Sequence, residues 1–180
     1  MGVDSRKVPN SAITASSTWD PGHEAWRGRL NNYPTSGDAG CWSAGSNTAG
    51  EYLQVDLGHV VYITMVATQG RPYGYKQYVR KYSLAYKNSD NSFVDYKVAN
   101  TVKGSITNGG KPENPRIKKI LESLEKPRHH TNFQANTDIS TIVTNRLPEK
   151  IKTQYIRFVV REWYDHISMR AEVYGCQIPV

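Results

Sequence analysis

One alternating stretch of the chain constrains its fold more than any other. Between Tyr52 and Gly58, the apolar residues Leu53, Val55 and Leu57 alternate with polar ones. A period of two residues is typical of a β-strand with one face buried, and a following glycine marks a strand end. The three apolar side chains therefore need a core, whose opposite wall we expect from the flanking segments.

Further strand-like runs surround this one and are separated by turn residues. They are predicted at residues 8–17, 60–67, 78–86, 93–98, 139–143, 155–160 and 167–173. The run at 60–67 is predicted as a second strand that begins after Gly58. Many short strands with turn signals between them, and no internal repeat, predict an antiparallel β-sandwich in a single domain over residues 1–180.

An insert at about residues 103–132 interrupts the strand pattern. Asn114 and Pro115 are typical of a helix start and Pro127 of its end. Apolar residues at i, i+3, i+4 and i+7 predict one helical stripe, formed by Ile117, Ile120, Leu121 and Leu124. The insert holds seven Lys/Arg and three Glu, which is +4 of the chain's net charge of +7. This charge indicates either attraction to acidic partners, such as anionic lipid or sulfated glycan, or a solvated surface.

Composition excludes several classes of protein. With 22% charged and 38% apolar residues, the chain is globular rather than disordered, and no apolar run reaches the length of a membrane span. The start of the chain has no secretory signal, so we expect a domain of a longer protein. The common catalytic and nucleotide-binding motifs are absent from the sequence, which predicts that the domain is not an enzyme and has no nucleic-acid partner.

Three loops rich in Pro and Gly carry large aromatic residues that no strand period places in a core. The first loop spans residues 17–23, the second 32–40 and the third 71–76. Their aromatic residues are Trp19, Tyr33, Tyr73 and Tyr75. Exposed aromatics with an arginine beside them, here Arg71, are typical anchors of a recognition surface. The alternative is that some of these rings fold back onto the sandwich.

Polar residues in the same loops give a weaker signal. Asp20, Asp38 and Asn47 would suit a calcium ion together with backbone carbonyls, although acidic loop residues often serve only to form turns. No other cofactor or metal is expected. The histidines His23 and His166 are isolated in the sequence, and we interpret them as surface or capping residues.

Charged residues within or beside the strands are expected to form an internal network of ion pairs and hydrogen bonds. This group contains Arg29, Asp56, Arg157, Arg170 and Glu172. We therefore leave these residues out of the predicted binding site. Trp42, which follows the second loop, is expected to pack inside.

A series of short motifs occurs in one order along nearly the whole chain, outside the insert. They are ITASS at 13–17, RLN at 29–31, EYLQVDLG at 51–58, ATQGR at 67–71, YVRKY at 78–82, NTD at 136–138, YIRF at 155–158 and MRAEVYGC at 169–176. In this order the chain resembles a discoidin domain, the C-terminal type of domain in coagulation factors V and VIII.

The resemblance implies an all-β fold, an antiparallel, eight-stranded, jelly-roll-like β-sandwich or barrel with a short helical insert. It also implies that the three loops meet at one ligand-binding end, with Trp163 beside them. The predicted ligand-binding residues are Trp19, Asp20, Tyr33, Asp38, Asn47, Arg71, Tyr73, Tyr75 and Trp163.

The subgroups of the resembled family bind unlike ligands. The chain is similar to collagen-receptor members at Trp19, at Asp38 and at Arg71. Neuropilin-like members have an Asp where Asn47 stands and a pocket Tyr where Gln77 stands, which puts their activity in doubt here. The histidine and arginine set of galactose-binding members is not recognisable in the sequence.

The resemblance thus implies a non-enzymatic extracellular recognition module for cell adhesion, which binds a protein or matrix ligand through the loops. Binding to anionic phospholipid membranes and glycan binding as a lectin domain are the two alternatives. The domain would belong to a longer secreted or membrane protein. The resemblance also implies that Cys176 normally bonds a Cys before the first strand, which this chain lacks, and that Cys41 lies at the opposite end.

Overall fold

The computed structural model describes residue 3 and residues 6–98 and 131–178. The predicted helix at 114–127 and most of the predicted insert lie outside the described residues. Within the described part, regular helix is limited to two 3₁₀ turns, Asn10–Ala12 and Ala25–Arg27. No helix there is long and apolar enough to cross a membrane.

In the described part of the chain, eight strands form an all-β fold, as predicted. They are β1 Ile13–Ala15, β2 Trp42–Ser43, β3 Tyr52–Gln69, β4 Tyr78–Lys87, β5 Phe93–Asp95, β6 Asn132–Gln134, β7 Val143–Tyr164 and β8 Ser168–Gln177. All paired strands are antiparallel, in the order β2-β8-β3-β7-β4-β5, with β1 added to β3 and β6 to β4. The arrangement is a β-sandwich of the discoidin type.

The alternating stretch is the first part of a strand longer than the prediction. β3 continues through Gly58, so the expected strand end at that residue is wrong. Gly58 adopts a φ of +77°, which glycine reaches without steric cost, and its N–H donates to Asp56 Oδ1 at 2.8 Å. The pairing of β3 with β7 shifts register between Asp56 and Val61. The strand therefore bends at this glycine instead of stopping.

A second long strand, β7, also differs from the prediction. The expected strand at 139–143 is wrong, because only its last residue is in β7 and residues 139–142 form no strand. Asp138 explains the difference: its Oδ1 accepts hydrogen bonds from the backbone N–H of Ser140 at 2.8 Å and of Thr141 at 2.7 Å. An aspartate that bonds the backbone two residues on forms a turn rather than a strand.

The hydrophobic core lies inside the sandwich and is filled by alternating strand residues. Leu53, Val55 and Leu57 are buried in it, as their period predicted. Trp42 is fully buried, which confirms that it packs inside, and its indole N–H donates to the carbonyl of Ser17 at 2.9 Å. A buried tryptophan normally needs such a partner for its one polar group.

Three of the five predicted network residues lie in the interior. Arg29, Arg170 and Glu172 are buried. Arg157 instead stacks on the outer face of the sheet, and Asp56 holds the bend of β3. The predicted interior position is therefore right for the first three, whereas Arg157 and Asp56 are half-buried, although each forms a side-chain hydrogen bond with a glutamine.

Arg170 connects three separate segments of the chain. Its guanidinium donates to the backbone carbonyls of Gly70 at 2.7 Å, Asn32 at 2.9 Å and Ile139 at 3.0 Å. Gly70 fits only as glycine, because a Cβ there would lie 2.8 Å from the Tyr78 side chain and 2.9 Å from backbone atoms. One buried side chain thus fixes the positions of two of the aromatic loops relative to β8.

The two cysteines are unpaired and lie far apart. Cys41 precedes Trp42, which pairs with Met169 at the start of β8, whereas Cys176 lies near the end of β8. Met169 and Cys176 are seven residues apart along β8, which is roughly 20 Å. The two cysteines are therefore well beyond the ~7 Å Cα separation that a disulfide allows. Burial raises the pKa of the Cys41 thiol to about 11, so this thiol is unreactive at neutral pH.

Replacing Arg170 should destabilise the whole domain. The Arg170→Met variant keeps much of the side-chain volume but leaves three backbone carbonyls without their donor, so we expect a loss of about 3 kcal/mol or more in the free energy of unfolding. Urea denaturation measures this. The exposed Arg146 on β7 provides a control, because Arg146→Met should change stability by no more than about 0.5 kcal/mol. Equal stability of the two variants would contradict the role of Arg170.

Residues 99–130 should be replaceable by a short linker. The chain positions on either side of them already meet, because the Val98 N–H donates to Thr131 Oγ1 at 3.1 Å and the Thr131 N–H to the Tyr96 carbonyl at 3.1 Å. A Gly/Ser linker of about four residues can close such a gap, and shortening a loop has a small entropic effect. We expect a single cooperative thermal transition. A variant that aggregates or unfolds without cooperativity would show that the removed segment completes the core.

Candidate ligand-binding site

The three aromatic loops converge at one end of the sandwich. The Ala39 N–H of the second loop donates to the Gly22 carbonyl of the first at 2.9 Å, and Trp19 N–H donates to the Ser43 carbonyl of β2 at 3.0 Å. Arg71 begins the third loop and lines the clefts beside the first two. The loops therefore form one surface, as the family resemblance implied.

Four aromatic side chains protrude from this surface. The exposed fractions are 59% for Trp19, 71% for Tyr33, 75% for Tyr73 and 61% for Tyr75. Such exposure of large rings is unusual on a small domain unless they meet a partner. None of these four rings folds back onto the sandwich, which was the alternative left open by the sequence.

Asp20 shapes the first loop. Its Oδ1 accepts hydrogen bonds from Gly22 N–H at 2.7 Å and from His23 Nδ1 at 2.6 Å. The bond from His23 lowers the pKa of the Asp20 carboxyl below its ordinary value. The side chain of Asp20 is still 47% exposed, so this carboxylate both closes the turn and borders the surface.

Asp38 is held inside the second loop. Its carboxylate lies 2.5 Å from Arg27 Nη1 and accepts hydrogen bonds from Thr35 Oγ1 and, at 2.8 Å, from Gly40 N–H. Burial acts to raise the pKa of Asp38, but the bonds from Thr35 and Gly40 outweigh it and hold the pKa below its ordinary value. The side chain is only 6% exposed. Asp38 thus supports the loop, and the structure does not present it to a ligand as an open carboxylate.

Arg71 is positioned by its own loop. Its Nη1 donates to Gln77 Oε1 at 3.0 Å and its Nε to the Tyr73 carbonyl at 3.2 Å, while the guanidinium carbon lies 4.8 Å from the centre of the Tyr75 ring. These contacts reduce the number of conformations open to the side chain. An arginine fixed in this way loses less entropy when it binds a carboxylate or carbonyl.

Two clefts lie beside Arg71. The first, which we call the aromatic cleft, has a volume of about 290 Å³. Its lining includes Trp19, His23, Arg71, Tyr75, Gln77 and His166. The second, the loop cleft, has a volume of about 450 Å³ and lies between the first and second loops, with Asp20 and Asp38 in its lining. Tyr33 and Tyr73 lie outside the lining of both.

His166 is a site residue that the sequence did not indicate. Its ring meets the Trp19 ring edge to face, with 5.0 Å between centroids. Its Nδ1 lies 3.2 Å from the Ile167 carbonyl, and its buried Nε2 has no hydrogen-bond partner in the described part of the chain. His23 also lines the aromatic cleft. Neither histidine has a motif that would have revealed it, since each reaches the cleft through the fold alone.

Two predicted site residues have other positions. Trp163 pairs with Val79 near the third loop, but it is half-buried, packs against the hydrophobic core and lines neither cleft. Its part in binding stays a prediction. Asn47 accepts a hydrogen bond from Ile167 N–H at 2.9 Å and donates to the Asp165 carbonyl at 3.2 Å. Its amide therefore fixes the β7–β8 loop that carries His166, and it supports the cleft from behind.

The predicted calcium ligands are not assembled as a set. Asp20 and Asp38 border the loop cleft, whereas the Asn47 amide is bonded to the β7–β8 loop. Over residues 6–98 and 131–178, no group of three or more His, Cys, Asp or Glu side chains is placed to hold a metal ion.

Fold and loop surface together define a ligand-binding β-sandwich module. The sequence matches the F5/8 type C domain over residues 12–173, and the chain belongs to this family. Members of the family bind phospholipids, proteins or carbohydrates.

Individual relatives agree with this assignment. The chain is 31% identical to neuropilin-1 of Homo sapiens over 99% of its own length and 16% of that protein. It is 28% identical to lactadherin of Sus scrofa over 98% of its length and 38% of that protein. In structure it is similar to discoidin II of Dictyostelium discoideum, with a TM-score of 0.68 and 19% identity over 93% of this chain and 56% of that one. The chain thus spans less than half the length of neuropilin-1 and of lactadherin.

The buried carboxylate of Asp38 should make stability depend on pH. Its pKa is lowered in the folded state, so its contribution is fully present above about pH 4, the ordinary pKa, and is lost as the pH falls through the folded-state pKa. We expect Asp38→Asn to lose about 1–3 kcal/mol at pH 7 and to approach the parent domain at lower pH. Urea denaturation over a pH series measures the difference, with the exposed Asp90→Asn as control. A loss that does not depend on pH would contradict this role.

Proposed function

We propose that this domain is a non-enzymatic, extracellular recognition module for cell adhesion, and that it binds a protein or matrix ligand through the loop end. One observation carries the proposal: a fixed arginine shares the aromatic cleft with the exposed rings of Trp19 and Tyr75, on a loop end that also exposes Tyr33 and Tyr73. Aromatic residues and arginine dominate the binding energy of protein interfaces. Since the chain matches only part of longer relatives, we place it in a longer secreted or membrane protein.

The chemistry of Arg71 favours a protein ligand over the two alternatives. Its guanidinium is oriented by Gln77 and Tyr75 for directed hydrogen bonds, which carboxylates and backbone carbonyls of a protein supply. The rings of Trp19 and Tyr75 in the same cleft offer apolar contact area at a low cost in conformational entropy. A ligand that combines an acidic or carbonyl group with apolar surface fits both features.

Binding of anionic phospholipid membranes is the first alternative. The exposed Trp19 and Tyr73 have the size and amphipathic character of residues that enter a membrane interface. Glycan binding is the second, and the aromatic cleft supports it, because an aromatic ring beside Gln77, His23 and His166 suits a sugar. The first alternative predicts co-sedimentation with liposomes only when phosphatidylserine is present, and the second predicts signals on a glycan array.

Substitutions on the rim should weaken binding without unfolding the domain. We expect Trp19→Ala and Arg71→Ala each to reduce affinity for a protein ligand by about 30-fold, equivalent to about 2 kcal/mol, with a nearly unchanged melting temperature. Solid-phase binding to immobilised matrix proteins, collagen included, measures the effect. The exposed Arg146→Ala on β7 provides a control that should bind normally.

The salt dependence separates protein from lipid. With a protein ligand, Arg71→Ala should remain impaired at high salt, because directed hydrogen bonds persist there. With a lipid ligand, the effect of Arg71→Ala should shrink as salt rises, and Trp19→Ala should have the larger effect. If Trp19→Ala binds normally, or if this variant unfolds, the loop end is not supported as the binding site.

A further inference from the structure

A separate cleft lies at the end of the sandwich opposite the aromatic loops. β4 begins at Tyr78 beside the third loop, and its ten residues carry the chain to Lys87, roughly 30 Å away. Lys87, the turn after it and the middle of β7 enclose a cleft of about 380 Å³. We call it the basic cleft. Its polar lining includes Lys87, Asn88, Asn91, Lys152, Gln154 and Tyr155.

The lining has the chemistry of an anion site. It presents two ammonium groups, three side-chain amides and hydroxyl groups, and it contains no carboxylate. Two acidic residues lie beside it: Asp56 pairs with Tyr155 across β3 and β7, and Asp90 stands between Ser89 and Asn91 in the chain. Asp56 Oδ1 already accepts hydrogen bonds from Gly58 N–H and from Gln154 Nε2, both at 2.8 Å, and Asp90 lies on the exposed turn between β4 and β5.

The charge of Lys87 is held in place by aromatic rings. Its Nζ lies 4.2 Å from the centre of the Tyr155 ring and 5.6 Å from that of Phe93. Arg157 continues the series, with its guanidinium carbon 3.5 Å from the Phe93 ring and 4.1 Å from the Tyr52 ring. Cations over ring faces keep their charge while their motion is restricted. Over residues 6–98 and 131–178, Lys87 and Lys152 form no ion pair.

We propose that the basic cleft binds a sulfated glycan. A sulfate group supplies the negative charge that Lys87 and Lys152 lack, and the amides of Asn88, Asn91 and Gln154 suit the hydroxyl groups of a sugar. A lipid headgroup would supply a similar anion. It fits less well, since Val60 is the one exposed large apolar residue in this lining and the exposed tryptophan and tyrosines of the loops lie at the other end.

Neutralising the two lysines tests the site. The probe is a sulfated heparin oligosaccharide, with its desulfated form as ligand control, measured by calorimetry in about 0.15 M salt. We expect K87Q/K152Q to reduce affinity for the sulfated form by about tenfold or more, with an unchanged melting temperature, and the desulfated form not to bind. The charge-matched variant K118Q/K119Q, in the basic segment at 103–132, should retain most of the affinity.

Other outcomes would overturn the proposal. Equal losses in the two double variants would mean that the sulfated probe responds only to total charge. A loss confined to K118Q/K119Q would place the binding in the basic segment. If K87Q/K152Q lowers binding to phosphatidylserine liposomes but not to the glycan, the anion is a headgroup. Trp19→Ala should bind the sulfated probe normally, so failure at the loop end and failure at the basic cleft are distinguishable.

Discussion

The buried guanidinium of Arg170 is the interaction on which the loop end depends. Three backbone carbonyls from separate segments accept its hydrogen bonds, and none of those segments belongs to a regular strand at that point. Carbonyls at such depth need a donor, and a loop without one would turn toward solvent. Arg29 has a similar role nearby, where it donates to the carbonyls of Val3 and Val8.

This support explains how the surface can present large apolar rings without collapsing onto them. The second loop is closed by Asp38 with Arg27, and the β7–β8 loop by Asn47. The residues that hold the loops are therefore different from those that protrude, such as Trp19. Stability and recognition are assigned to separate side chains, an arrangement that favours preorganised binding.

Alternation and turn residues are local signals, and they predicted the all-β fold and the three loops. The meeting of the loops at one end was implied by the family resemblance, not by these local patterns. The sequence missed the continuity of β3 through Gly58, since a glycine that bends a strand looks the same as one that ends it. It did not indicate that Trp163 packs against the core, and it overlooked His166. Whether an aromatic residue near a strand end faces the core or the rim depends on pairing between β7 and β4, which local patterns do not contain.

The two long strands have a mechanical consequence. β3 and β7 share twelve antiparallel residue pairs. The middle of each strand lies at the far end, beside the basic cleft, and both halves of each strand run from there toward the loop end. A pulling force applied between the loop end and the far end would act along these strands and load their hydrogen bonds in shear. Bonds loaded in shear must break together, whereas a ladder that is unzipped loses them one at a time. A domain built in this way resists extension along the axis that joins the loop end to the far end.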